Sequence, residues 1–489
     1  MTVAQKKVFL PTGLFILFLA VFYLLGFQNM KIPWDYYQIL DKELLLGSPG
    51  YSLLLLHSQP PVLNSLVVFF LKVSSLFSWE FSRTSLIFFI FLGATSINLI
   101  FRALLRVTDN WLVAVSGILL ILINPSFHLY SHLFFYPFLL FFFFSIILYF
   151  FIRYITDGRL LLFILCLFCA VLISNTRAMY HVIWGVGLLF FFLILQRNVF
   201  NQIKKSHILA ASVFMVFLTL WPLKNLVLFD QFTSSTWEGF NLAKGYNLDD
   251  QGLREYIDTG KVGSDVRKSL NEFEERFALG EAKTRVISDV QKSTGARNWN
   301  HFIFTVVNPK LKTKAIQARL NNPKLWFSKA FNYYFAWSRA SFVNPYTGKI
   351  RGPDQAVYQG YANAINRSLF YDLRPSLERI WPQMNSFNEW SDLPYNLFGT
   401  LLLPVFLILQ IVFAYRKYQK GSMLIFYSIA FALLNILWVL FVPVLTDGME
   451  GNRMRFAVLP LLIFLFMIPF YDRTLFEQEE TQSNKSDNE

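Results

Sequence analysis

The polar side chains best suited to chemistry lie in short connections between long apolar runs. The first is Asp35, in segment 33–37, which closely follows an apolar run that begins at Val8. A carboxylate so close to a hydrocarbon layer is costly, so its position calls for a functional reason. It is the type of group that accepts a proton from an attacking hydroxyl. Capping of a surface helix is the alternative role, since aspartate favours helix N-termini.

The later connections add imidazoles, amides, cations and further carboxylates. These side chains are His57, Gln59, His128, His132, Arg177, His181, Lys224, Asn225, Asp447, Glu450, Arg453 and Arg455. Guanidinium groups bind phosphate in a bidentate manner, so the arginines suit an anionic group that gains charge during a reaction. The alternative is that Arg453 and Arg455 are anchors that extend to lipid headgroups.

The histidines and cysteines are not expected to hold a metal or to act in redox chemistry. His128 and His132 stand four apart, a spacing that metal ligands use, but interfacial polar residues have the same pattern. Cys166 and Cys169 form a Cys-x-x-Cys pair inside the apolar run 160–173, where a thiolate is poorly solvated. We predict no cofactor, and the absence of a Gly-rich phosphate loop argues against direct binding of a nucleotide.

The composition is that of a polytopic membrane protein. Of the 489 residues, 55% are hydrophobic and 15% are charged, whereas soluble domains carry about 25% charged residues. A net charge of +13 would suggest nucleic acid in a soluble protein. Here the cations flank apolar runs as topology signals, so no nucleic-acid partner is expected.

Apolar runs of about 18–20 residues predict membrane-spanning helices. We predict ten, at 8–26, 83–104, 111–126, 135–152, 159–175, 179–196, 207–226, 397–414, 423–445 and 454–471. The first is expected to be an uncleaved helix, since it is too long for a signal-peptide core. The run 61–78 is ambiguous, and Lys72 within it favours a helix that lies on the membrane surface.

Positive charges settle the orientation. If 61–78 does not span, the N-terminal tail and the basic loops near Arg106, Arg159, Lys205 and Lys417 are all cytoplasmic. If it spans, these loops lie outside, against the positive-inside rule. We therefore predict that both termini are cytoplasmic and that the polar connections are extracytoplasmic.

The chain divides into four parts. Residues 1–226 form an N-terminal membrane module that includes the first external loop, 27–82. Residues 227–396 form a mainly helical extracytoplasmic segment, and 397–471 form the C-terminal membrane helices. The polar, acidic tail 472–489 is expected to be disordered.

In order and spacing, the motifs resemble the GT-C superfamily of membrane glycosyltransferases, which use polyprenyl-phosphate sugars. This superfamily includes protein O-mannosyltransferases and the lipid A aminoarabinose transferase. Asp35, before Tyr36 and Tyr37, matches the acidic residue of the first external loop, and 57–64 resembles the (His or Lys)-Pro-Pro-Leu segment. The later motifs follow in order at 77–86, 124–136, 221–225 and 450–456.

The resemblance implies an all-α, GT-C-like enzyme, a hexosyl- or pentosyltransferase, in the bacterial cytoplasmic membrane. It would transfer a sugar from a polyprenyl-phosphate donor to a protein, lipid or glycan acceptor, with inversion, at the extracytoplasmic face. Asp35 would be the general base. The lipid phosphate would be bound by Arg453, Arg455, Arg177 and Lys224, and further site candidates are His57, Gln59, His132 and Glu450.

Two positions depart from the family pattern. Gln59 stands where His or Lys is usual, and no acidic residue stands near Ser131, where many relatives have one. His132 or Glu450 would then take over the role of that carboxylate in binding a metal or an acceptor.

Three other functions remain open from the sequence. An O-antigen ligase or polymerase would use diphosphate-linked glycans, and a long external segment fits such an enzyme too. A transporter of lipid-linked substrates would place ionisable groups near the bilayer midplane in paired repeats. A non-catalytic scaffold would not depend on Asp35 or Arg455.

Overall fold

The computed structural model is helical, and it describes residues 3–244, 248, 250–343, 349–369, 402–446 and 451–471. The helices are α1 Val3–Leu24, α2 Lys42–Gly47, α3 Pro49–Leu54, α4 Val62–Phe77, α5 Phe81–Thr108, α6 Trp111–Leu122, α7 Pro125–Ser131, α8 Tyr136–Asp157, α9 Leu160–Ser174, α10 Val182–Phe200, α11 Lys205–Phe229, α12 Glu238–Lys244, α13 Gln251–Thr259, α14 Ser264–Arg276, α15 Glu281–Ser288, α16 Ile303–Asn321, α17 Pro323–Ser338, α18 Ala356–Leu369, α19 Leu403–Gln419, α20 Met423–Thr446, α21 Gly451–Ala457 and α22 Leu459–Met467. A 3-10 turn, Ile468–Tyr471, follows α22. The predicted all-α class is confirmed.

The long apolar helices make this a multi-pass integral membrane protein. In the described part of the chain, α5, α8, α10, α11 and α20 are long and apolar enough to span. Two bent pairs, α6 with α7 at 64° and α21 with α22 at 60°, raise the number to seven if each pair is one span. Every predicted span overlaps a helix. The number ten stays a prediction, since α9 and α19 are shorter and the apolar part of α1 is only Phe9–Leu24.

Helix α4 is the segment for which a surface position is predicted. Its 16 residues would reach only about 24 Å at 1.5 Å per residue, less than the hydrocarbon thickness of about 30 Å. One face buries Leu63, Val67 and Phe70, while Lys72 and Leu76 are exposed on the other. A single buried stripe of this kind is typical of a helix that lies along an interface.

One end of the helix bundle carries the charged connections. Near the C-terminal ends of α5 and α8, the Arg106 guanidinium lies 2.5 Å from Asp157, and Arg153 Nε donates to the same carboxylate at 2.7 Å. These residues belong to, or lie beside, the loops predicted to be cytoplasmic.

The opposite end brings together the polar connections. Lys31 N donates to His132 O at 2.8 Å, which joins the first connection to the one after α7. Val62 N donates to Asn175 O at 3.0 Å, which joins the start of α4 to the connection after α9. The polar residues that are distant in sequence therefore share one end of the bundle.

The described part of segment 227–396 is helical and packs against this polar end. Asn300 is a main point of attachment. Its Oδ1 accepts from His57 N at 3.0 Å and Ser58 N at 3.1 Å, and its Nδ2 donates to Leu55 O at 3.2 Å. The Asn300 amide thereby attaches segment 227–396 to the connection between α3 and α4.

Aromatic packing places helix α21, which carries two of the candidate arginines. The Phe456 ring stacks on Phe141 of α8, with centroids 5.1 Å apart and planes at 11°. It also contacts Tyr130 of α7, with centroids 4.7 Å apart. The Phe-rich stretch of α8 is thus a packing surface that positions Arg453 and Arg455.

Candidate functional site

Asp35 lies on a turn-rich loop between α1 and α2 and is exposed. The loop is shaped by its own backbone, since Tyr36 N donates to Pro33 O at 2.9 Å. Asp35 heads no helix. The N-cap of α2 is Asp41, whose Oδ1 accepts from Glu43 N at 2.8 Å and from Leu44 N at 3.2 Å. The capping alternative for Asp35 is therefore wrong, and its carboxylate is presented to the outside of the helix bundle.

Arg453, from the last connection, is a cation that the fold brings to this loop. Its side chain is buried, and Nη1 donates to Tyr36 Oη at 2.6 Å. Tyr36 Oη in turn donates to Tyr37 Oη at 2.7 Å. The guanidinium also lies 5.5 Å from the centre of the Phe135 ring, a cation–π distance. A cation from the last connection thus contacts the residue next to Asp35.

Arg177 and Gln59 lie together, and the rings of Phe135 and Tyr136 stand between them and the Asp35 loop. Arg177 is buried and its Nη1 donates to Gln59 Oε1 at 3.3 Å. Its guanidinium lies 4.8 Å from the centre of the Tyr136 ring. The centres of the Tyr136 and Phe135 rings are 4.3 Å apart. Tyr36 contacts Phe135 at 4.8 Å. A path of aromatic rings therefore connects the Asp35 loop to Arg177.

Arg177 and Gln59 line a cavity of about 420 Å³. The other lining residues are Ala178, Met179, His181, Val182, Ile183, Pro222, Phe232, Thr233, Ser234, Ser235, Glu238, Asn241, Leu242, Lys312, Val442 and Pro443. Nine of the eighteen lining residues are apolar and nine are polar or charged, so the cavity offers both kinds of contact that ligand sites use.

An ion pair from segment 227–396 stands at this cavity. Lys312 Nζ lies 2.9 Å from Glu238 Oε1, and both side chains are 40% exposed. Thr233 Oγ1 donates to Glu238 Oε2 at 3.2 Å. His181 caps α10 by accepting from Ile183 N at its Nδ1, at 3.2 Å. The cavity therefore combines cationic, carboxylate and imidazole groups with an apolar wall.

Lys224, one of the predicted phosphate-binding cations, fastens α11 to the first external loop. Its Nζ donates to Leu56 O in a short hydrogen bond and lies 3.8 Å from the centre of the Trp221 ring. The described contacts of Lys224 thus hold two elements together at the polar end.

His57 is fully buried beside this contact. Its Nδ1 lies 2.7 Å from Thr236 Oγ1, and its ring packs on Phe229 with centroids 4.8 Å apart. Burial lowers the pKa of His57 well below its usual 6.5, and the charge of Lys224 lowers it further. The imidazole is therefore neutral and serves to attach segment 227–396 rather than to carry charge.

Replacement of His57 by asparagine should flatten the acid side of the stability profile. The unfolded chain protonates His57 below pH 6.5 and the folded chain does not. The free energy of unfolding therefore falls as the pH drops through 6.5, by up to about 1.4 kcal/mol per pH unit from this group. Denaturation curves at pH 5.0–7.5 in lipid–detergent micelles measure this. Thr236→Val keeps the imidazole and is the control, and an unchanged acid slope in His57→Asn would contradict the assignment.

The described hydrogen bonds of Arg455 go to backbone carbonyls. Nη1 donates to Ser338 O and Nη2 to Arg339 O, both at 2.6 Å, at the C-terminal end of α17. The guanidinium also lies 5.7 Å from the centre of the Trp337 ring. These contacts bind α17 to α21, a role that the sequence did not indicate.

Arg455→Met should destabilise the fold, because the two carbonyls lose charged donors in a buried place. Each such loss costs about 1–3 kcal/mol, so the unfolding midpoint in denaturant should fall clearly. Arg416→Met, at an exposed position of α19, is the matched control. Equal midpoints for the two variants would show that the α17 contact contributes nothing.

His128 and His132 make packing contacts. The His128 ring stacks on Phe22 with centroids 3.4 Å apart, and its Nε2 lies 2.6 Å from Leu122 O. His132 Nδ1 lies 3.0 Å from His128 O. Within the described ranges, no three side chains of His, Cys, Asp or Glu form a group that could hold a metal. Glu450 lies outside the described residues.

Two lysines of segment 227–396 were missed from the sequence. Lys312 stands at the cavity, and Lys292 contacts the Asp35 loop through backbone carbonyls. No motif marks either residue, and each is one of many charges in segment 227–396. Scattered charges in a polar segment usually indicate a solvated surface, so nothing in the sequence singled out these two lysines as site residues.

Comparisons with known proteins give one structural similarity. No family model matches the chain, and a search of curated proteins finds no match. Among solved structures, the chain is similar to "Crystal Structure of ArnT from Cupriavidus metallidurans in the apo state", with a TM-score of 0.34 and 15% sequence identity. The similarity covers 91% of this chain and 77% of that chain. ArnT is a GT-C aminoarabinose transferase, a type of protein that the sequence motifs also resemble. At this TM-score, the function has to be argued from the residues of this chain.

Proposed function

We propose that this protein is a membrane glycosyltransferase that moves a sugar from a polyprenyl-phosphate donor to an acceptor hydroxyl or amine. The finer topology belongs to the same proposal: ten spans, with the polar end at the extracytoplasmic face of a bacterial cytoplasmic membrane. The basic residues Arg106 and Arg153 at the other end, paired with Asp157, support a cytoplasmic position for that end.

The observation that carries the proposal is the meeting of a carboxylate loop with a buried arginine. Asp35 is exposed, and Arg453 donates to the adjacent Tyr36 at 2.6 Å. The aromatic path through Phe135 and Tyr136 leads from there to Arg177 and the 420 Å³ cavity. A base and two buried cations on one end of a helix bundle suit a lipid-linked anionic substrate.

The reaction needs few groups. Asp35 accepts the proton of the acceptor nucleophile, whose oxygen or nitrogen bonds to the anomeric carbon of the sugar. The bond between that carbon and the phosphate oxygen breaks, and its electron pair stays on the polyprenyl phosphate. Arg453 and Arg177 compensate the charge that develops on this leaving group.

The other predicted phosphate ligands receive a different role. Lys224 and Arg455 have described hydrogen bonds to the carbonyls of Leu56, Ser338 and Arg339. We propose that they position the connections on which the site is built. Gln59 orients Arg177 through their hydrogen bond at 3.3 Å.

A donor panel tests the proposal. The purified protein in lipid nanodiscs would be given sugars on polyprenyl monophosphate, on polyprenyl diphosphate and on a nucleotide, with a mixed set of protein, lipid and glycan acceptors. We expect transfer from the monophosphate alone, with release of polyprenyl phosphate detected by mass spectrometry. Transfer from the diphosphate alone would support the ligase alternative, and a panel with no transfer from any donor would contradict the proposal.

A further inference from the structure

A residue of segment 227–396 contacts the loop that carries Asp35. We infer that Lys292 is a positioning residue that holds the backbone on both sides of Asp35, and that segment 227–396 thereby completes the active site. The catalytic part of this inference rests on the proposed function. The hydrogen bonds from Lys292 to the Asp35 loop, called the clamp below, do not depend on it.

The geometry of the clamp is specific. Lys292 Nζ donates to three backbone carbonyls of the loop: Trp34 O at 3.2 Å, Tyr36 O at 2.7 Å and Ile39 O at 2.6 Å. Trp34 and Tyr36 are the two neighbours of Asp35. The side chain is only 6% exposed, so the hydrogen bonds face little competition from water.

A lysine ammonium fits this task because it has three N–H donors and no acceptor. Three carbonyls from one short loop satisfy all of them. Burial lowers the pKa of Lys292 to about 8, while the carboxylates of Asp41 and Asp35 act to raise it. At pH 7, one unit lower, about nine in ten of these side chains carry the proton. The three-donor form therefore dominates at neutral pH.

The next residue supplies a second attachment to the same loop. Ser293 N donates to Asp41 Oδ2 in a short hydrogen bond. Burial acts to raise the pKa of Asp41, but hydrogen bonds from Ser293, Leu44 and Glu43 outweigh it and lower that pKa. Asp41 is thus an anion that joins the start of α2 to the external segment. The loop that carries Asp35 is held both near its middle and at its end.

Lys292 is itself held in a tight turn. Its N–H donates to Ala296 O at 2.8 Å, and Gly295 N donates back to Lys292 O at 2.9 Å. Gly295 has φ +82°, a conformation that glycine adopts readily. Asn298 Nδ2 ties the turn to α15 through Val286 O at 3.1 Å and Asp289 O at 2.7 Å. Because its own turn is held in place, Lys292 can restrict the motion of the Asp35 loop.

Charged side chains surround the ammonium. The carboxylates of Asp41 and Asp35 act to raise the pKa of Lys292. Among the described residues, charged groups near this loop also include Lys42, 5.5 Å from the Trp34 ring centre, and Arg453, which donates to Tyr36. If Lys292 positions Asp35, its removal should lower kcat with little change in KM, and partial recovery in Lys292→Arg distinguishes this role from a loss of packing.

The test compares three full-length variants in nanodiscs with the wild type. Lys292→Met keeps the length of the stem without the donors, and Lys292→Arg keeps the charge. Lys268→Met is the matched control, since that lysine is 80% exposed on α14. Hydrogen–deuterium exchange reports the backbone of 31–41, and initial rates at pH 7 give kcat and KM.

We expect Lys292→Met to exchange faster at 31–41 and to lose about tenfold or more in kcat with little change in KM for the donor, as for a misplaced catalytic group. Lys292→Arg, which keeps the charge, should recover part of both effects. Unchanged exchange at 31–41 would overturn the clamp, and faster exchange with an unchanged kcat would overturn its catalytic role. Absence of transfer by the wild type would contradict the proposed function but not the clamp, which the exchange measurement tests alone.

Discussion

Asp35→Asn is expected to lower kcat for sugar transfer by about 10²–10⁴-fold, the usual contribution of a general base. The amide has nearly the same size as the carboxylate but does not accept the acceptor's proton at neutral pH. The loop should keep its shape, because the hydrogen bonds from Lys292 and Ser293 go to backbone carbonyls and to Asp41. Donor binding should therefore persist while turnover is lost, which steady-state kinetics and a donor-binding titration measure together.

Asp258→Asn is the matched control for this prediction. Asp258 is an exposed aspartate on α13, in the external segment. The control should keep wild-type kinetics. Near-normal turnover in Asp35→Asn would remove Asp35 from the mechanism, and equal loss in both variants would point to a general effect of charge on the external surface.

Arg453→Met is expected to have the second largest effect, a loss of about 10²–10³-fold in kcat/KM, as when one preorganised electrostatic donor is removed. The methionine fills much of the buried space but brings no charge to the leaving phosphate. Arg453→Lys should recover only part of the loss, because an ammonium replaces a planar fork by a point charge. Rates with a saturating and a limiting concentration of donor separate the effect on binding from the effect on turnover.

Tyr36→Phe separates two possible roles of Arg453: compensation of the charge on the leaving phosphate, and the hydrogen bond that holds Tyr36. It removes the hydroxyl that accepts from Arg453 at 2.6 Å but leaves the cation in place. We expect a much smaller loss than in Arg453→Met, and a non-additive double variant, since contacting residues are coupled. If Tyr36→Phe were as damaging as Arg453→Met, the arginine would act by holding Tyr36 and not by compensating the phosphate.

The positions of the helices could be predicted because the apolar runs record them directly. Each predicted span overlaps a helix of the structure, and the run 61–78 forms helix α4, Val62–Phe77. The count was harder to predict. Bends such as the 64° between α6 and α7 arise where Pro125 opens a new helix, and hydropathy does not measure a bend.

The site could be predicted only in part, for a physical reason. Asp35 and Arg453 were chosen because a charge beside hydrocarbon needs an explanation, and the fold places Arg453 against the neighbour of Asp35. Lys292 was missed because its partners are backbone carbonyls, which every residue has and no motif marks. For the same reason, the contact of Arg455 with the end of α17 could not be foreseen.

The most direct test of the central claim is a single-turnover reaction with one polyprenyl-phosphate sugar that the donor panel has identified. The wild type and Asp35→Asn would be loaded with equal amounts of bound donor, and free polyprenyl phosphate and glycosylated acceptor would be counted by mass spectrometry. The proposed mechanism predicts one polyprenyl phosphate per sugar transferred by the wild type, and almost none of either product from the variant at the same donor occupancy. Equal product from both proteins, or sugar transfer without release of polyprenyl phosphate, would contradict it.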